Sequence, residues 1–136
     1  MNRKELAVNL HHKKFNCAQA VVCAFADTLD CDTKTIFKLA EAFGNGMSTR
    51  GTCGAVSAMA MVIGMKESDG ELDNPKTKVN CYKLMKKATE MFTAKNQSVI
   101  CRELKGLDGG IPLRSCDGCI EDAAAILDEL LFDNME

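Results

Sequence analysis

Apolar residues recur at intervals of three and four along most of the chain, which is the spacing that places them on one face of an α-helix. No segment shows a convincing apolar–polar alternation of the kind that predicts a strand. The pattern predicts a short first helix over residues 3–13, a short turn over 98–104, and five main helices. These main helices are expected over about 17–29, 33–43, 53–65, 75–94 and 116–132.

Small polar residues stand where most of these helices begin, as helix N-caps commonly do. The predicted caps are Asn16, Asp32 or Thr33, Thr52, Ser98 and Ser115. Pro75 suits the first turn of the fourth main helix, and Gly64 is expected to cap the end of the third. With no internal repeat and no linker, the chain is predicted to form one all-α domain over residues 1–136, a compact helical bundle.

Composition narrows the class of protein. Of the 136 residues, 46% are apolar, which is enough for a sizeable core, and the net charge is only −2. No basic stripe predicts a nucleic-acid partner, and no apolar run is long enough to span a membrane. The charged N-terminus is unlike a signal peptide, so we expect a cytoplasmic protein. In that compartment eight cysteines are not expected to form a disulfide framework.

Five of the eight cysteines fall in the first turn of a predicted helix, where the helix dipole and free N–H groups favour a thiolate. They are Cys17, Cys53, Cys101, Cys116 and Cys119. The other three are expected to be packing residues, and they are Cys23, Cys31 and Cys81.

Cys116 and Cys119 form a C-x-x-C motif, which suits either a dithiol or two ligands of one metal. Ile120 occupies the position where a c-type haem site requires a histidine, so haem attachment is excluded. No βαβ pattern surrounds the motif, as thioredoxin would require, and no second ligand pair completes a zinc ribbon or finger. An iron–sulfur cluster bound by cysteines scattered along the chain remains open.

Two other features bear on the site. A glycine-rich segment precedes the third main helix and predicts a tight loop or a close approach of backbones. Its glycines are Gly44, Gly46, Gly51 and Gly54. The only two histidines, His11 and His12, lie in a charged stretch and are expected to be solvated rather than ligands.

Four segments together resemble the C_GCAxxG_C_C family of putative redox-active proteins: FNCAQAVVCAFA, GNGMSTRGTCGAVSAMAMVIG, SVICRELKG and CDGCIEDAAAIL. The resemblance implies a helical domain with well-spaced cysteines and a redox role. The split-Soret cytochromes are similar over a related domain and carry an iron–sulfur centre, although this chain lacks their haem-attachment pattern. Ala58 stands where the family tends to have glycine, which removes no thiol.

Three functions follow as hypotheses. The first is electron transfer by an iron–sulfur cluster held by Cys53, Cys101, Cys116 and Cys119, with Cys17 the first of the five candidates to be set aside. The second is cluster-free thiol–disulfide chemistry that uses Cys53 with Cys101, Cys116 or Cys119. The third is a structural zinc bound by four cysteines, or no metal at all.

These hypotheses share a geometric requirement and a kind of partner. The helix N-termini that bear Cys53, Cys101 and Cys116 must meet at one end of the bundle. The partner expected is an electron-transfer protein or an oxidoreductase. A small helical domain with an exposed thiol site is also compatible with a homodimer.

Overall fold

Helices make up most of the computed structural model, which describes residues 1–132. The helices of this part are α1 (Arg3–His12), α2 (Cys17–Ala24), α3 (Thr33–Ala40), α4 (Gly54–Glu67), α5 (Lys78–Asn96), α6 (Cys101–Leu104) and α7 (Cys116–Leu127). Short turns of tighter or wider helix cover Ala26–Thr28, Glu41–Phe43, Gly46–Arg50 and Asp128–Phe132. Over residues 1–132 no strand forms, so the all-α prediction is confirmed. Residues 133–136 of the predicted domain lie outside the described part.

Three of the predicted N-caps are confirmed, and each uses its side chain as expected. Asn16 accepts a hydrogen bond from the N–H of Gln19, whose side chain in turn accepts from the N–H of Asn16, completing a capping box. The Asp32 carboxylate accepts from the N–H of Thr35 at 2.6 Å, and the Ser115 hydroxyl accepts from the N–H of Gly118 at 3.0 Å. These caps therefore set the first residues of α2, α3 and α7.

Other predicted helix ends were wrong. Cys53 itself is the N-cap of α4, because Thr52 pairs in an antiparallel bridge with Ile100. Helix α4 continues through Gly64 to Glu67, since one interior glycine costs only about 1 kcal/mol and the buried side chains around it outweigh that.

The predicted starts of α5 and α6 were also wrong. Pro75 does not begin α5, because the N–H of Asp69 bonds the Thr77 hydroxyl and closes residues 69–77 as a loop. Ile100, not Ser98, precedes α6, and the Ser98 hydroxyl instead accepts from the N–H of Ile100.

Helix α4 lies at the centre of the fold, where it packs against α2, α5 and α7, while α1 packs on α2 and α7. Buried side chains from α1, α2, α3, α4, α5 and α7 form one core cluster. The helical spacing of apolar residues predicts that Leu39, Val79 and Tyr82 are buried, but all three side chains are exposed. Among the described residues, no helix combines the length and apolar character needed to cross a membrane.

The N-terminus of α4 lies very close to the N-terminus of α2. A Cβ atom added at Gly54 would lie 3.0 Å from the carbonyl oxygen of Phe43 and 3.2 Å from the Cβ of Cys17. Both distances are shorter than ordinary carbon contacts, so only glycine allows this approach without displacement. A Cβ added at Gly64, ten residues along the same helix, would meet no atom within 4 Å.

We therefore expect opposite effects from the same substitution at the two glycines of α4. Gly54→Ala should lower the free energy of unfolding by about 1–3 kcal/mol, because Phe43 and Cys17 must move. Gly64→Ala should raise it by up to about 1 kcal/mol through better helix propensity. Urea denaturation followed by circular dichroism measures both, and equal effects of the two variants would contradict the close approach at Gly54.

Candidate functional site

The five cysteines expected to share a site line one small cavity of about 20 Å³. It also borders the loop before α4 and two basic residues, and the remaining lining residues are Asn45, Gly46, Gly54, Leu104, Lys105 and Arg114. The required convergence of the helix N-termini is therefore observed. Cys53, Cys101 and Cys119 are buried, while Cys17 and Cys116 are partly exposed.

Two backbone hydrogen bonds bring the segment before Cys53 against the segment before Cys101. The N–H of Cys53 donates to the carbonyl of Val99 at 2.8 Å, and the N–H of Cys101 donates to the carbonyl of Gly51 at 2.6 Å. They flank the bridge between Thr52 and Ile100. This single antiparallel pairing fixes two cysteines that are 48 positions apart in the sequence.

Helix starts place the other three cysteines. Cys17 is the first residue of α2, directly after the Asn16 cap. Cys116 is the first residue of α7, and Cys119 follows one turn later on the same face. The packing of α2 and α7 against each other and against α4 then brings these thiols to the cavity.

The glycine-rich segment forms a tight left-handed turn against the cavity. Asn45, Met47, Ser48 and Arg50 all have φ between 53° and 60°, and Gly46 has φ of 61°. A Cβ atom at Gly46 would lie 2.5 Å from the amide nitrogen of Gly51 and 3.0 Å from the Cβ of Cys101. Left-handed backbone costs about 1 kcal/mol or more for each non-glycine residue, so the surrounding contacts hold this loop in a strained shape.

Cys17 and Cys116 form the first of two thiol pairs. A hydrogen bond from the Cys17 thiol to the Cys116 thiolate lowers the pKa of Cys116 to about 5, outweighing its partial burial, and the Lys105 ammonium contributes further. The same bond, with burial, raises the pKa of Cys17 well above its ordinary value. Near neutral pH this pair therefore holds one thiolate, on Cys116, and one thiol, on Cys17.

Cys53 and Cys119 form the second thiol pair, deeper in the protein. The hydrogen bond from the Cys119 thiol lowers the pKa of Cys53 to about 7, although burial opposes it. The N–H groups of Ala55 and Val56 at the start of α4 also favour the Cys53 thiolate. The pKa of Cys119 is raised by that same hydrogen bond and by burial. Cys101 belongs to neither pair, and its sulfur lies 3.8 Å from a guanidinium nitrogen of Arg50.

Basic side chains surround the cavity. The Lys105 ammonium donates a hydrogen bond to the Cys116 sulfur. The Arg114 guanidinium donates two hydrogen bonds, of 3.1 and 3.2 Å, to the carboxylate of Asp122. Asp122 is buried, and its carboxylate also forms an ion pair with Lys95 and accepts a hydrogen bond from the Asn96 amide. Its negative charge is therefore compensated. Arg114 crosses directly over Gly118, where any side chain would collide with it. This network holds a cationic group at the edge of the cavity.

Both histidines contact the C-x-x-C motif, which the sequence did not predict. His11 Nδ1 and His12 Nε2 each lie 2.7 Å from a different carboxylate oxygen of Asp117. These hydrogen bonds hold the pKa of Asp117 below its ordinary value, and the charge of His11 contributes to lowering that of Cys116. His12 is mostly exposed, as expected, but His11 is largely covered. The sequence shows only that two adjacent histidines end the first helix. That does not identify Asp117, 106 positions after His11, as their partner.

The remaining cysteines lie outside the cavity lining. Cys23 is buried in the core, and its burial raises the pKa of its thiol to about 11. Cys31 and Cys81 are partly exposed and pack against the edge of the same core. Their positions agree with the packing role that the sequence suggested.

The side chains that line the cavity are suitable ligands for a metal or an iron–sulfur cluster, but the cavity is too small to contain a cluster. Five cysteine sulfurs and no other metal-ligating side chain line the cavity, which is the donor set of an iron–sulfur cluster. A cavity of about 20 Å³ has room for about one water, and the sulfurs are already in direct contact as pairs. Over residues 1–132, no three or more His, Cys, Asp or Glu side chains are grouped so as to hold a metal ion.

The low pKa of Cys116 predicts an unusual pH profile of alkylation. Because only thiolates react, the rate of Cys116 labelling by iodoacetamide should be nearly constant between about pH 6.5 and 8.5. Labelling of Cys23, whose pKa is about 11, should rise about tenfold per pH unit. Mass spectrometry of the labelled peptides resolves the two residues.

The variants Lys105→Met and Lys105→Arg test the cause of that profile. Lys105→Met removes the cation and should raise the pKa of Cys116, so that its labelling rate begins to fall at a higher pH than in the unmodified chain, whereas Lys105→Arg should leave the profile unchanged. Lys38→Met, on the exposed surface of α3, is the matched control. A tenfold rise per pH unit at Cys116 in the unmodified chain would contradict the thiolate assignment.

Comparison with known proteins agrees with this arrangement of cysteines. Neither the curated proteins nor the solved structures contain a match to the chain. The family model described as putative redox-active protein (C_GCAxxG_C_C) matches residues 15–130, a span that includes all five cysteines of the cavity. The resemblance carried by the four sequence segments is thereby confirmed, and the chain belongs to the C_GCAxxG_C_C family of putative redox-active proteins.

Proposed function

We propose that the cavity is a thiol redox centre in which the pairs Cys17–Cys116 and Cys53–Cys119 cycle between dithiol and disulfide. The observation that carries the proposal is the direct hydrogen bond within each pair, which joins one thiolate to one thiol. A thiolate is the attacking group in disulfide exchange, and a thiol in contact with it is placed to resolve the mixed disulfide. The family's redox character supports the same function.

Cys116 is the thiol that meets an external substrate, because it combines the lowest pKa of the two pairs with partial exposure. Its thiolate attacks one sulfur of a substrate disulfide, forming a mixed disulfide and releasing one substrate thiolate. Cys17 then gives up its proton to that thiolate and attacks the Cys116 sulfur, which releases the second substrate thiolate. The protein loses two electrons and one proton, and the substrate disulfide becomes one thiol and one thiolate, which takes up a proton from solvent.

The buried pair exchanges with the outer pair and needs no further reagent. The Cys53 thiolate attacks the Cys116 sulfur of the Cys17–Cys116 disulfide and releases Cys17 as a thiolate. Cys119 then gives its proton to the Cys17 thiolate, attacks the Cys53 sulfur and releases Cys116 as a thiolate, so the disulfide moves inward and the outer pair is restored. Charge interactions between Cys53 and both outer cysteines support this short path. The co-reactant is a disulfide of a partner oxidoreductase or of a small thiol.

Oxidation should therefore give two defined disulfides. On titration with oxidised and reduced glutathione, we expect the Cys53–Cys119 disulfide to accumulate first, because the outer pair passes its disulfide inward, and Cys17–Cys116 second, with four of the eight cysteines still free to be alkylated. Peptide mapping without reductant identifies the pairs.

Cysteine replacements distinguish the attacking thiol from the resolving one. Cys17→Ser/Cys53→Ser, which removes both thiols that can attack Cys116, should trap a glutathione mixed disulfide on Cys116, whereas Cys116→Ser should form none at this pair. Cys31→Ser, at a cysteine outside the cavity, is the control and should behave like the unmodified chain. Random pairing, or no reversible disulfide at any glutathione ratio, would contradict the proposal.

A second candidate function is electron transfer through an iron–sulfur cluster, which the donor set favours. Cys53, Cys101, Cys116 and Cys119 would hold the cluster, with Cys17 as the fifth sulfur at the cavity. A bound cluster would supply one-electron transfer. The N-termini of α2, α4 and α7, with Lys105 and Arg114, would compensate its negative charge. Binding requires the paired sulfurs to separate.

Metal analysis separates the two candidates. Iron, acid-labile sulfide and zinc are measured on protein purified without oxygen, together with the visible spectrum. A cluster predicts iron with sulfide and a brown chromophore, and loss of iron in Cys101→Ser as well as in Cys53→Ser. The dithiol function predicts no stoichiometric iron and unchanged disulfide formation in Cys101→Ser, since Cys101 belongs to neither pair. Zinc alone would indicate a structural Cys₄ site.

A further inference from the structure

The first half of α5 exposes a basic and apolar surface that nothing in residues 1–132 covers. Val79, Tyr82, Lys83 and Lys86 follow the helical spacing i, i+3, i+4, i+7 and so lie on one face. Val79 is 56% exposed and Tyr82 is 66% exposed. Residues 75–88 contain five lysines and no acidic residue, and we call this face, with its flanking lysines, the basic face. The five lysines are Lys76, Lys78, Lys83, Lys86 and Lys87.

An acidic loop lies directly beside the basic face. The segment from Glu67 to Asp73 carries four carboxylates and no cation, and we call it the acidic loop. The hydrogen bond from the N–H of Asp69 to the Thr77 hydroxyl holds it against the start of α5. Its tip carries Leu72, which is 90% exposed.

The opposite charges of these two surfaces do not neutralise each other within one molecule. In the described part of the chain, none of the ion pairs joins a lysine of the basic face to a carboxylate of the acidic loop. The carboxylates of Asp69 and Glu71 instead accept hydrogen bonds from backbone N–H groups of the loop itself. Both surfaces therefore remain available to an external partner.

We propose that these two surfaces form the interface of a homodimer, in which the acidic loop of each copy binds the basic face of the other. A two-fold axis makes this contact twice, so every attraction is satisfied in both directions. Tyr82, Val79 and Leu72 supply the apolar centre that a stable interface needs, and the charged groups form its rim. A purely acidic partner would leave the acidic loop facing like charge, which the second copy avoids.

The interface lies away from the cysteine cavity, so the proposal does not depend on the redox function. Helix α5 begins next to the end of α4, whereas the cavity lies at the start of α4. The two regions are therefore separated by most of the length of α4, which is about 20 Å for 14 residues. A dimer of this kind leaves both thiol sites open to their substrates.

Charge reversal tests the proposal by analytical ultracentrifugation under reductant, so that no intermolecular disulfide contributes. The unmodified chain should dimerise with a micromolar Kd that rises about tenfold between about 0.05 and 0.5 M salt. Lys83→Glu/Lys86→Glu lowers the charge of the basic face from five lysines to three lysines and two glutamates, and Glu71→Lys/Asp73→Lys leaves the acidic loop with two carboxylates and two lysines. Each variant alone should be monomeric at about 100 µM.

An equimolar mixture of the two variants is the decisive sample. In the heterodimer the intact acidic loop of one variant meets the intact basic face of the other, so the mixture should dimerise more tightly than either variant alone, with a Kd above that of the unmodified chain. Lys34→Glu/Lys38→Glu, on exposed positions of α3, makes the same change of net charge and should leave dimerisation unchanged. Tyr82 is the only tyrosine and there is no tryptophan, so quenching of its fluorescence by acrylamide should fall as the dimer forms.

A monomeric unmodified chain at about 100 µM would overturn the proposal. A dimer that survives both charge reversals, or a mixture that stays monomeric, would overturn it too. Circular dichroism spectra of all variants confirm that they are folded, since every substituted residue lies on the surface.

Discussion

The single antiparallel bridge between residues 51–53 and 99–101 is the contact on which the site depends. Its two hydrogen bonds satisfy backbone groups at the start of α4 and α6, and they set the positions of Cys53 and Cys101 together. Without it, the helices would still bury their apolar faces, but the cavity would lose one of its walls. A fold that is otherwise helical thus uses one isolated element of sheet pairing to assemble its cysteines.

Hydrogen bonding between paired thiols, rather than burial alone, makes the pKa of one partner low and that of the other high. Burial by itself favours the neutral thiol, and it raises the pKa of Cys23 in the core. In each pair a single hydrogen bond reverses this for one partner and reinforces it for the other, so Cys116 and Cys53 become the thiolates. Lys105 acts on Cys116, whereas the N-terminus of α4 acts on Cys53. Two different sources of positive potential thus support two thiolates in a very small space.

The sequence predicted what depends on local spacing and missed what depends on tertiary contacts. The helix periodicity, the caps at Asn16 and Ser115 and the grouping of five cysteines at helix starts all follow from neighbouring residues. The partner of each thiol and the contacts of His11 with Asp117 join residues about 65 to 106 positions apart, and no local pattern encodes them. The prediction that α4 ends at Gly64 was wrong, because burial of α4 outweighs the weak tendency of glycine to end a helix.

The strained left-handed turn is held against the small cavity by packing. Four non-glycine residues with positive φ cost several kcal/mol together, at about 1 kcal/mol or more each. The turn keeps this shape because Gly46 packs against Gly51 and Cys101, and because Gly54 admits α4 close to α2. Relaxing the turn would release that strain and move Gly46 away from Cys101. Movement of this wall of the cavity is therefore resisted by packing but favoured by the backbone.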